Sequence, residues 1–108
     1  MICRIWHGYT TNDDADTYEN LLQSEIFIGI KSRNIEGYKG IQLLRQVLPH
    51  ETEFITIMWF DSIDAVINFA GKEYEKAVVP EKARKVLSRF DKTSQHYIVK
   101  IDNYKSNF

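Results

Sequence analysis

The chain has 108 residues, enough for one domain with a small core and too few for two. Fourteen basic residues against fifteen acidic ones leave a net charge of −1, without the basic stripe that DNA or RNA binding needs. One cysteine, Cys3, excludes an internal disulfide, and no apolar run approaches the ~20 residues that span a bilayer.

No targeting segment precedes the first strand, so a cytoplasmic protein is expected, with no membrane and no nucleic-acid partner. A domain over 1–102 and a polar tail over 103–108 are expected. Ile2 to Thr10 reads as a strand, with Cys3 a small core residue within it. Thr11-Asn12-Asp13-Asp14 ends the strand and supplies N-cap residues. A helix follows from about Asp14 to Ser24, because Ala15, Tyr18, Leu21 and Leu22 recur at spacings of three and four. Ile26 to Ile30 is either the end of that helix or a short extended piece.

Gly37 to Leu48 and Glu53 to Phe60 read as a hairpin closed by Pro49-His50-Glu51-Thr52. Asp61 or Ser62 then caps a helix from Ile63 to Ala70 that stops at Gly71. Pro80 suits the first turn of another helix, in which Ala83, Val86, Leu87 and Phe90 recur with helical spacing. Ser94 to Asp102 is the last strand.

The order β-α-β-β-α-β predicts an α+β, ferredoxin-like fold: a four-stranded antiparallel sheet in order 4-1-3-2 with helices on one side. The other side keeps large apolar groups at either choice of strand parity, and a bare apolar face asks for a partner. Pairing of two such faces predicts a homodimer, a dimeric α/β barrel.

Candidate chemistry is sparse. On the first strand Cys3, Ile5, His7 and Tyr9 share one face, and Ile2, Arg4 and Trp6 share the other. Giving the more apolar set to the helices puts His7 beneath them, and Arg4 and His96 on the dimer side, with Glu53 a partner for Arg4. His7 is then a candidate catalytic base or hydrogen-bond donor, its ordinary pKa suiting proton transfer near neutrality. The competing reading is a core histidine. Trp59, Phe69 and Tyr74 are candidate walls of a substrate cavity, helped by the breaks at Gly71 and Pro80; the competing reading is core packing. No spacing of metal ligands, phosphate loop or covalent nucleophile appears, so neither a metal nor a cofactor is expected.

The chain resembles the antibiotic-biosynthesis-monooxygenase-like proteins of the dimeric α/β-barrel superfamily. The resemblance rests on Arg4 to Gly8, Gly40 with Leu43-Leu44-Arg45, Glu53-Phe54, Phe60 to Val66, Phe69-Ala70-Gly71, Ala77 to Pro80, and Phe90-Asp91 before His96-Tyr97. It spans nearly the whole domain. It implies a small, cofactor-independent monooxygenase acting on an electron-rich, phenolic or quinol-like organic molecule. The alternatives are a non-catalytic dimer that binds a small molecule, and a haem-binding or haem-degrading protein. The positions matching the haem-degrading branch hold His7, Phe69 and Val79, so its ligating histidine is missing.

Overall fold

The computed structural model describes residues 1–103. The tail predicted over 103–108 lies outside the described residues, apart from Asn103. Strand β1 (Ile2–Thr10) is central; beside it on one side runs β3 (Thr52–Phe60), and beyond that β2 (Tyr38–Val47). On its other side β1 pairs with two short strands laid end to end, β4 (Arg89–Phe90) and β5 (Gln95–Ile98). Every pairing is antiparallel. The predicted ferredoxin-like order is present, but the last strand, expected over Ser94 to Asp102, is only Gln95–Ile98, and a further short strand, Arg89–Phe90, precedes it.

The hairpin and the helix after it follow the sequence reading closely. Helix α3 spans Ile63–Ala70; the Ser62 hydroxyl accepts from the Ala65 N–H at 3.2 Å, and Gly71 ends the helix at φ 90°. Gly37 allows the close return of this helix. Its φ is 83°, and a Cβ there would stand 2.5 Å from the Ala65 methyl, so any side chain would meet both backbone strain and collision.

Three expectations need correction. The first helix does not stop near Ser24. It runs as α1 (Ala15–Leu21), a π-helical turn (Leu22–Ile26) and α2 (Phe27–Ser32). The apolar row Tyr18, Leu22, Ile26, Ile30 is spaced by four, and such a row drifts by about 40° per step around an ideal α-helix. The wider π turn takes up that drift, so the row keeps facing the sheet. Second, the last helix, α4 (Glu81–Val86), ends before Leu87, which is extended, and Phe90 lies in β4 rather than on the helix.

Third, the faces of the sheet are reversed. Ile2, Arg4, Trp6 and Gly8 on β1, with their cross-strand partners Phe60, Met58, Thr56 and Phe54, lie under the helices. Cys3, Ile5, His7 and Tyr9 face the open side with Trp59, Ile57, Ile55 and Glu53. Counting apolar residues could not separate the faces because each carries apolar groups. Two core clusters fill the covered side. One centres on Tyr18 and Phe54, whose rings meet edge to face at 4.9 Å. The other centres on Phe60, Val66 and Met58.

Candidate functional site

Between the sheet and the helical layer lies an apolar cavity with free space of ≈60 Å³, room for roughly two waters. Its walls come from β1 and β3, from the π turn, and from the segment that links α3 to α4. Met58, Phe69 and Val79 are among its apolar lining, and Arg4 and Ser94 are among its polar lining. The π turn matters here because it brings Leu22 and Ile26 to the same wall.

Arg4 is only 3% exposed. Its Nη1 donates to the Tyr74 carbonyl oxygen and to His96 Nε2 at 2.9 Å, and its Nη2 donates to the Lys76 carbonyl oxygen at 3.2 Å. Its guanidinium carbon stands 5.5 Å from the centre of the Phe69 ring. Among the described residues no carboxylate lies within ion-pair distance of it. Burial pulls its pKa down to about 10, so it stays charged near neutrality. A guanidinium has no lone pair to offer, so His96 Nε2 must accept and the imidazole is neutral, with its proton on Nδ1. Burial, then the Arg4 charge, lowers the His96 pKa, against a smaller opposing pull from Glu75. The Tyr74 ring stacks edge-on to His96 at 5.1 Å.

Ser94 enters through the break between β4 and β5. Gly8 pairs with Phe90, but Ile5 pairs with Gln95, so two extra residues are inserted in the outer strand between these pairs. The excursion is pinned at both ends. The Asp91 N–H donates to the His7 carbonyl oxygen at 3.0 Å, and the Ser94 N–H donates to the Glu75 carbonyl oxygen at 2.8 Å. Trp6 Nε1–H donates to the Asp91 carbonyl oxygen at 2.7 Å, and its indole crosses Gly8, where a Cβ would stand 2.9 Å from the ring. Irregular strands of this kind recur beside binding sites because they re-aim a side chain. Here the re-aimed group is the Ser94 hydroxyl, buried and without a hydrogen-bond partner.

The four residues singled out from sequence are not brought together. Phe69 lines the cavity. Tyr74 adjoins it through the contacts of its carbonyl with Arg4 and of its ring with His96. His7 and Trp59 lie on the opposite face of the sheet. The expected place of His7 beneath the helices is therefore corrected, and so is the expected place of Arg4 and His96 on the open side. Glu53 is the partner of His7 and not of Arg4. His7 Nδ1 stands 3.1 Å from Glu53 Oε2, which also accepts from the Tyr9 hydroxyl at 3.2 Å, while Gln46 Nε2 donates to Oε1 at 3.3 Å. Trp59 Nε1–H donates to Gln42 Oε1 at 2.9 Å.

Sequence reasoning passed over Ser94 and the π turn, and misplaced Arg4. One available signal was Gly8: a glycine inside a strand marks close approach by another group, here the Trp6 indole, and so marks the covered face. Haem does not fit these residues. No histidine lines the cavity among the described residues, Val79 is part of its apolar wall, and the free space is far below that of a macrocycle. No group of three or more His, Cys, Asp or Glu able to hold a metal ion occurs among the described residues, and no described helix is long and apolar enough to cross a membrane.

No protein-family profile matches the chain, and no curated protein matches it in sequence. Solved structures do match. One is a Bacillus cereus protein described as a "putative antibiotic biosynthesis monooxygenase", 13% identical, with a TM-score of 0.67 over 96% of this chain and 97% of that one. At that identity the likeness speaks for the backbone alone, and it covers nearly every described element. The chain thus shares the ferredoxin-like fold of that protein.

Proposed function

We propose that this protein is a small cofactor-independent monooxygenase. It takes an electron-rich, phenolic or quinol-like molecule into the cavity between sheet and helices. The observation that carries this reading is the cavity itself: apolar and walled by Phe69, in a fold shared with a protein described as a monooxygenase. A phenol that tautomerises to place a CH₂ beside its carbonyl can lose one proton to give a carbanion. That carbanion reduces O₂ and a C–O bond forms. The peroxide takes up a proton, the second C–H is lost, the O–O bond breaks and water leaves. The net change is R₂CH₂ + O₂ → R₂C=O + H₂O. A water-poor cavity favours this course by strengthening every charge interaction within it.

The test is oxygen uptake by chelator-treated protein with a panel of single-ring phenols and hydroquinones. One O₂ consumed per carbonyl formed, without free peroxide, supports the reading; bound substrate without uptake overturns it. A second reading, a non-catalytic small-molecule-binding protein, is favoured by one fact. Among the described lining residues there is no carboxylate or imidazole to move a proton. The same measurement separates the two.

The working unit in this proposal is a homodimer joined through the open faces of the sheets. Its support is the apolar content of those faces: Ile5, Ile55 and Ile57, with Leu44 45% exposed and Tyr97 54% exposed. Such a joint would bury on the order of 2,000 Å² in total. His7, Tyr9 and Glu53 would form a polar patch within it, and Trp59 part of its apolar area.

A further inference from the structure

We infer that the cavity is an oxyanion site, in which Arg4 and Ser94 together hold the charged oxygen of a single-ring aromatic anion. The inference deepens the proposed function and rests on its reading of the cavity as a binding site.

Two independent observations point the same way. Arg4 is a buried cation whose described partners are dipoles only: two carbonyl oxygens and a neutral imidazole. Dipoles offset part of the cost of burying a charge, and an opposite charge offsets far more. Of the five N–H groups on a guanidinium three are engaged, which leaves Nε–H and one hydrogen on Nη2. Ser94 is 5% exposed, and its hydroxyl has no partner at all. The Thr10 hydroxyl is also buried without a partner but does not line the cavity, whereas that of Ser94 does, where a missing group could satisfy it.

Both side chains line the same cavity, and the strand pairing explains why. Arg4 stands opposite His96, and Ser94 lies two residues before His96, where the excursion of the outer strand ends and β5 begins. The Phe69 ring at 5.5 Å from the Arg4 cation, with Met58 and Val79, leaves the rest of the wall apolar. A ligand that satisfies this wall has one anionic oxygen head and an apolar body. The ≈60 Å³ of free space is less than half of the ~150 Å³ of a cavity that takes benzene, so one ring is the upper limit and it enters only as the apolar lining shifts. A phenolate and an aromatic carboxylate share this chemistry.

The experiment compares three single-ring probes by calorimetric titration: 4-nitrophenol, 4-nitrobenzoate and nitrobenzene. Tighter binding of either anion than of nitrobenzene, by about tenfold or more, supports the site and identifies which anion it takes. For 4-nitrophenol the absorbance of the phenolate must also show that the bound probe is ionised at a pH where the free probe is largely neutral. Arg4→Met should remove the preference for the anion, so that the ratio of anion to nitrobenzene affinity falls to about one. Ser94→Ala, which breaks no bond of the folded protein, should weaken the anion several-fold. Equal binding of anion and nitrobenzene would overturn the oxyanion site while leaving the cavity a binding site. Failure of all three probes to bind would overturn both.

Discussion

On the covered face of the sheet, Arg4 is enclosed by carbonyl oxygens, an imidazole and an aromatic ring, with no described carboxylate. On the open face the reverse holds: one carboxylate, Glu53, gathers His7, Tyr9 and Gln46 around it. The open face satisfies its polar groups within the chain and leaves apolar area uncovered. The covered face buries its apolar area within the chain and leaves polar capacity unspent, at Arg4 and Ser94. Each face therefore lacks one thing, and the two lacks differ in kind. An open apolar surface suits a second sheet, whereas spare donors in an apolar cavity suit a small anion. The comparison also argues against reading Arg4 as a stabilising residue, because a buried ion without its counter-ion is a poor source of stability.

The largest expected effect tests the open face. Ile57→Glu puts an unpaired charge into the proposed joint twice, once from each subunit. Removal of one partner of a buried ion pair costs about 3–5 kcal/mol, so the dimer should weaken on the order of a thousandfold or more. Light scattering at micromolar concentration reads this directly. An unaltered dimer, or a native protein that is already monomeric, breaks the comparison at its open side.

Phe54→Ala tests the covered side. Phe54 is fully buried, touches Tyr18 edge to face and sits under the Arg45 guanidinium. Its truncation should cost about 3–5 kcal/mol of folding stability in urea denaturation, by loss of transfer energy and creation of a cavity. A cost below ~1 kcal/mol would mean that the helical layer packs less tightly on the sheet than described.

Gly37→Ala should cost about 1–3 kcal/mol, from the positive φ and the collision with Ala65 together. The melting temperature should fall while assembly at low temperature is kept. Loss of the dimer with stability intact would tie this turn to the open face instead.

The smallest effect is a pH dependence. His96 has its pKa lowered by burial first and by Arg4 second, from an ordinary value of 6.5. The unfolded chain thus binds this proton more readily than the folded one. The stability His96 contributes is complete above pH 6.5, falls as the pH drops through that value, and levels off below the folded pKa. His96→Gln should flatten this part of the stability profile, measured by denaturation at several pH values. An oxyanion bound beside Arg4 should reduce the slope as well, because it offsets the charge that opposes protonation.

Much of the fold was legible because its signals are local. Ser62 and Gly71 bracket α3 through hydrogen bonds and dihedral angles that involve only a few neighbours. The hairpin was legible from β-branched and aromatic residues on either side of Pro49-His50-Glu51-Thr52. Less of the site was legible. Phe69 could be picked out as an aromatic at the end of a helix. His7 was given to the covered face on a count of apolar residues, but both faces of this sheet carry apolar groups, so the count could not decide. Ser94 gave no signal, since its significance comes only from lacking a partner.

The amino-acid sequence by itself determined the order of the main elements, the cap and stop of α3, and the hairpin. Periodicity and capping act over a few residues and need no distant partner. Only the tertiary structure decided which face of the sheet the helices cover. A strand of period two offers two equivalent choices until another layer packs on it. The same packing bends the outer strand at Asp91 to Ser94 and carries the Ser94 hydroxyl, from one end of the chain, to the cavity lined by Arg4 from the other. No local rule relates those two residues, because what joins them is the antiparallel pairing of the first strand with the last.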